Sequence, residues 1–148
     1  MLSKKARYAI VALTKLAKEY GNGPILISDI SKSEFIPQKF LEAILVDLKK
    51  TGILGSKVGK HGGYYLIKKP KEINLSDILR HVEGPIALMP CVSEKYYQPC
   101  EFCKDENKCG IRKTFKEIRD NTYRMLKNTS LYDLIETEKS AKSRKKKK

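Results

Sequence analysis

Gly52 separates two kinds of apolar spacing. Before it, apolar residues recur every three or four positions; after it they fall in short runs around a glycine-rich turn. Ile53-Leu54-Gly55-Ser56-Lys57-Val58 reads as a strand and Gly59-Lys60-His61-Gly62-Gly63 as a turn. Tyr64-Tyr65-Leu66-Ile67 is the returning strand, closed by Pro70.

The helices around this hairpin are equally legible. Residues 3–20 place Ala6, Ala9, Ile10, Leu13, Leu16, Ala17 and Tyr20 on one stripe, ended by Gly21-Asn22-Gly23-Pro24. Ser28 is the expected N-cap of a short helix over residues 29–33. Pro37 suits the first turn of a third helix, which ends at Gly52 and turns Phe40, Leu41, Ile44 and Leu45 towards the core. Three helices followed by a hairpin is the order of a winged helix-turn-helix. A short helix follows over 73–82, with Asn74 or Ser76 at its start. A long amphipathic one runs from about Lys108 to Leu126, with Ile111, Phe115, Ile118, Tyr123, Met125 and Leu126 on its apolar side. Leu131, Leu134 and Ile135 make a last short turn.

The expected fold is therefore mostly α with a small β-hairpin. The expected division is a DNA-binding winged helix-turn-helix over 1–82 and a cysteine-rich sensor loop over 83–110. A dimerisation helix with a last short helix covers 111–136, and a disordered basic tail covers 137–148.

Charge points to the partner. The 31 basic and 17 acidic residues of the 148 give +14; residues 139–148 hold seven of the bases and no acid, so the remaining 24 against 17 leave +7. Such a surplus suits a polyanion, foremost nucleic acid. A hydrophobic content of 41% suffices for a packed core, and no apolar run approaches a membrane span. Lys15, Lys18 and Glu19 interrupt the first apolar segment at helical spacing, which reads as a helix of a cytoplasmic protein and not a leader. No nucleophile–base pair is present, and the expectation is no enzyme, no small-molecule substrate and no membrane.

In a helix-turn-helix the N-terminal residues of the second helix reach base edges. Gln38 suits adenine, Lys39 guanine or phosphate, and Glu42 cytosine. Lys57, Lys60 and His61 crowd a hairpin tip that can approach phosphate or the minor groove. Lys4 and Ser28 complete the expected DNA-contacting set.

All four cysteines, Cys91, Cys100, Cys103 and Cys109, lie within nineteen residues. In a reducing compartment such a cluster indicates a metal site or redox chemistry. The residues alone leave open an iron–sulfur cluster, a structural zinc, a cluster-free thiol switch and, from another class, an RNA-binding zinc protein.

Ser3-Lys4-Lys5-Ala6-Arg7-Tyr8-Ala9, Phe40-Leu41-Glu42-Ala43-Ile44-Leu45 and Gly59-Lys60-His61-Gly62-Gly63-Tyr64 together resemble the Rrf-two family of bacterial winged-helix regulators. That family includes the iron–sulfur cluster regulator and the nitric-oxide-sensitive repressor, and the resemblance covers about residues 1–135. It implies a homodimer on near-palindromic promoter DNA. It also implies a cluster, 2Fe–2S in type, whose ligands match Cys91, Cys103 and Cys109. One branch takes its fourth ligand three residues after the last cysteine, where Arg112 stands. Another takes it from the partner's first helix, where Arg7 stands. Neither arginine can ligate, which leaves Cys100 as the economical fourth ligand ahead of His81 and His61. Val58 occupies a wing position where many members carry arginine.

Overall fold

The computed structural model describes residues 2–146. Helix α1, Lys4–Lys18, starts where the Ser3 hydroxyl accepts the Ala6 N–H at 3.1 Å. It buries Ala6, Ala9, Ala12, Leu13, Leu16 and Ala17. The alanines let α1 run close to its neighbours, so it forms the axis on which the rest packs.

Helix α2, Ile27–Glu34, begins earlier than expected. Leu26 occupies the N-cap without a side-chain bond, and Ser28 is already inside the first turn. The Ser28 cap is thus corrected, because Ile27 and Ile30 set the start by packing towards the core. Helix α3, Gln38–Lys49, follows Pro37, which stands at the cap position and not in the first turn. Leu41, Ile44, Leu45 and Leu48 are buried as expected, whereas Phe40 is 65% exposed. Phe40 lies one position away from the core stripe set by Leu41, Ile44, Leu45 and Leu48, a displacement of about 100° around the helix.

Strands β1, Leu54–Lys57, and β2, Gly63–Leu66, pair antiparallel in the register Leu54↔Leu66 and Lys57↔Gly63. Ile25 adds a bridge, donating to the Tyr64 carbonyl at 2.9 Å and accepting its N–H at 2.8 Å. That bridge explains Gly63: a Cβ there would stand 2.1 Å from the Ile25 carbonyl oxygen, and φ is +135°.

Helix α4, Leu75–Val82, is capped by Asn74, whose side chain accepts the Asp77 N–H at 3.0 Å. A loop with short 3-10 turns at Pro90–Val92 and Glu106–Lys108 leads to helix α5, Gly110–Lys127. Helix α6, Leu131–Lys146, returns to α1, burying Leu131 and Ile135 in the common core. Its start is stitched to that of α4: Leu131 donates to the Ile73 carbonyl and Leu75 to the Thr129 carbonyl, both at 2.9 Å.

The expected disordered tail over 137–148 is corrected as far as Lys146. Thr137 and Ser140 bond to carbonyls four residues back, Lys139 pairs with Glu136 at 2.9 Å, and Lys18 meets Glu138. Ala, Glu and Lys are strong helix formers, so polarity and charge density do not stop the helix once its first turns are docked. Residues 147 and 148 lie outside the described residues. Among the described residues no helix is long and apolar enough to cross a membrane.

Candidate functional site

Two regions carry the residues singled out from the sequence. In the first, Gln38, Lys39 and Glu42 are exposed at the start of α3. Lys57 ends β1, and Lys60 and His61 stand exposed at the hairpin tip. Lys60 and His61 share a cleft of about 690 Å³ with Asp29 and Ser33 of α2, so the wing lies beside the helix-turn-helix. Ser28 is half-buried in α2 and Lys4 is exposed at the opposite end of the sequence unit, in the first turn of α1.

The second region is the loop after α4. Cys91 is buried in the 3-10 turn, while Cys100, Cys103 and Cys109 are half-buried. All four line one cavity of about 420 Å³, walled by Met89, Phe102, Ile111 and Arg112. Cys109 doubles as the N-cap of α5, its sulfur accepting the Arg112 N–H at 3.4 Å. That N–H, with a hydrogen bond from Cys103 and the Arg112 charge, holds the Cys109 thiol below its usual range. Cys103 moves the other way: partial desolvation pushes it up, helped by its bond to Cys109 and the charge there. The two sulfurs are thus shifted in opposite directions, Cys109 down and Cys103 up. His61 and His81 are not near this cavity; His81 lies 3.4 Å from Asp47 of α3.

Two structural roles escape the reading of the sequence, which notes Arg112 only as a residue that cannot ligate and does not note Arg119. Arg112 donates from Nε to the Cys91 carbonyl at 3.3 Å and lies 3.6 Å from Glu106. Arg119, one heptad further along α5, has a side chain only 13% exposed and donates to the Val92 carbonyl. It also faces Asp120 and Glu94, and Glu94 lies 3.5 Å from Arg80. Arginines seven residues apart on one helix were the available signal, since that spacing returns to the same face.

The arrangement is that of known regulators. The family model Rrf2, described as an iron-dependent transcriptional regulator, matches residues 2–137. The rrf2-like HTH-type transcriptional regulator of Rhodobacter capsulatus is 38% identical over 138 residues, spanning 91% of this chain and 92% of its own. IscR of Pectobacterium atrosepticum is 28% identical, over 90% of this chain and 78% of its own. Among solved structures, CymR, the global cysteine regulator of B. subtilis, superposes with a TM-score of 0.76. It is 30% identical and covers 90% of this chain and 95% of its own. Helix order, hairpin and similarity over nearly the whole chain agree, and they point to a DNA-binding regulator and not an enzyme. This chain belongs to the Rrf2 family of winged-helix transcriptional regulators.

Proposed function

We propose that the chain is a homodimeric, cytoplasmic regulator whose promoter binding is set by an iron–sulfur cluster, 2Fe–2S in type, on Cys91, Cys100, Cys103 and Cys109. The observation that carries this reading is that every thiol of the chain lines one cavity. The donor set fits the group: four soft sulfurs are what such a cluster takes. Among the described residues no three His, Cys, Asp or Glu side chains gather closely enough to hold a single ion. When bound, the cluster would supply a group whose presence and charge respond to iron, oxygen or nitric oxide.

The rest is done by the chain. Cys91 precedes α5 and Cys109 caps it, so the spacing of the thiols fixes the start of that helix relative to the winged helix. The apolar face of α5 is largely uncovered, with Ile111, Ile118 and Met125 exposed at intervals of seven, and it serves as the dimer seam. The angle between two α3 helices then follows the state of the thiols. Gln38, Lys39 and Glu42 read bases, Lys57, Lys60 and His61 approach the backbone, and Lys4 and Ser28 complete the contacts.

Four free thiols sharing one cavity also support a second reading, a cluster-free thiol switch. An anaerobic visible spectrum with iron, sulfide and zinc assays separates the two. Bands between about 320 and 600 nm with matched iron and sulfide support the cluster. Colourless, metal-free protein with four titratable thiols supports the switch instead.

A further inference from the structure

Phe35 closes α2 at φ +54° and ψ +40°, and it is the one non-glycine residue with positive φ among the described residues. Glycine or asparagine takes this left-handed conformation at little cost; phenylalanine does not. Its side chain gains nothing from burial either, being 91% exposed. The turn is held in place around it. Ile36 donates to the Ser31 carbonyl at 3.1 Å, the Ser31 hydroxyl donates back to the Ile36 carbonyl at 2.6 Å, and Ile36 itself is buried. Anchoring Ile36 inward leaves the Phe35 ring outward.

A second exposed ring, Phe40, stands in the first turn of α3. The two rings bracket Pro37-Gln38-Lys39, the end of α3 that meets base edges in this class of fold. Lys32 and Lys39 flank them with exposed positive charge, which suits phosphate. A strained conformation retained at a displayed residue is ground for a functional hypothesis, since such residues cluster at sites of contact.

We propose that Phe35 and Phe40 determine operator specificity by seating the C5-methyl groups of thymines in the major groove. Thymine alone presents an apolar group on that edge, and aromatic carbon is a suitable partner for it. The proposal rests on α3 being the helix that enters the groove.

The test uses the full chain and a duplex it selects from a random-sequence library, read by fluorescence anisotropy at fixed salt. Individual thymines are replaced by deoxyuridine, which lacks only the methyl. Each critical replacement lowers wild-type affinity by about fourfold, the value of one buried methyl. Phe35→Asn and Phe40→Ala lower affinity for the thymine duplex comparably and become indifferent to the replacement at the thymine each contacts. Phe35→Asn also raises Tm, since asparagine tolerates the left-handed turn, so loss of binding is not loss of fold. Equal losses from deoxyuridine in wild type and both variants would overturn the assignment to the two phenylalanines. Failure of the wild-type chain to enrich any sequence would overturn the α3 reading on which it stands.

Discussion

The Arg112 side chain donates to the Cys91 carbonyl at 3.3 Å while its own backbone N–H is accepted by the Cys109 sulfur at 3.4 Å. One residue thus joins the first and last cysteines of the loop, across eighteen positions of sequence, and reaches Glu106 between them. Three residues after the last cysteine, this chain places a brace. Arg112→Ala removes the brace and leaves the backbone contact to Cys109. The expected outcome is about tenfold weaker retention of the bound group, measured as iron and sulfide remaining after anaerobic gel filtration. Helicity by circular dichroism stays unchanged. Equal retention would show that the loop holds its shape without Arg112.

Cys100 is the thiol that the family pattern does not require. If the proposed cluster is held by all four thiols, Cys100→Ser should shift the visible spectrum and speed loss of colour in air. Cys103→Ser should abolish the colour altogether. A Cys100→Ser spectrum superimposable on wild type would remove Cys100 from the ligand set.

Three carboxylates are held below their ordinary range by hydrogen bonds and so tie stability to pH. Asp47 accepts from Lys5 at 3.2 Å, Glu83 accepts the Ser3 N–H at 2.9 Å, and Asp133 accepts from the Ser130 N–H at 2.8 Å and hydroxyl at 2.6 Å. The Lys5 hydrogen bond, the Ser3 hydroxyl and the Ser130 hydroxyl respectively hold them below their ordinary values of 3.8, 4.5 and 3.8. A depressed carboxylate binds fewer protons folded than unfolded, so its contribution is complete above the ordinary value and fades as pH falls through the folded one. The urea midpoint should therefore fall between about pH 5 and about pH 3. Asp47→Asn should flatten part of that slope. A wild-type midpoint independent of pH in this window would contradict the pairing.

The uncovered face of α5 needs an occupant. Ile118→Glu places a charge at the centre of the exposed Ile111–Ile118–Met125 stripe and should convert the proposed dimer to a monomer in sedimentation velocity. Residues of α5 are nowhere fully buried within one chain, so helicity should survive. A variant that stays dimeric would place the interface elsewhere.

Much of this fold was legible in the residues. The stripe from Ala6 to Ala17, the Leu41–Leu48 face and the strand–turn–strand after Gly52 each follow one period cleanly, and each forms as read. The departures have physical causes. Phe40 is apolar, but it sits one position beside the core stripe, and spacing fixes direction where hydrophobicity does not. The tail reads as disordered by composition, yet α6 docks Leu131 and Ile135 beside Ile73, and that contact nucleates a helix the lysines then continue. Cysteine spacing marked the thiol cavity. It could not reveal Arg112 and Arg119, whose partners are backbone carbonyls of Cys91 and Val92, because carbonyls carry no sequence signature. Phe35 was invisible for a related reason: its left-handed turn is imposed by Ser31 and Ile36, and residues in that conformation are glycine in most turns.

The most direct test of thiol control is operator affinity measured anaerobically on one preparation. Anisotropy titrations compare the loaded protein, the same protein after chelation, and Cys103→Ala under both conditions. Loaded and stripped wild type should differ in Kd by about tenfold or more. Cys103→Ala should show no such change while keeping its helicity and its sedimentation coefficient. Identical Kd values for wild type and Cys103→Ala, loaded or stripped, would contradict thiol control of DNA binding.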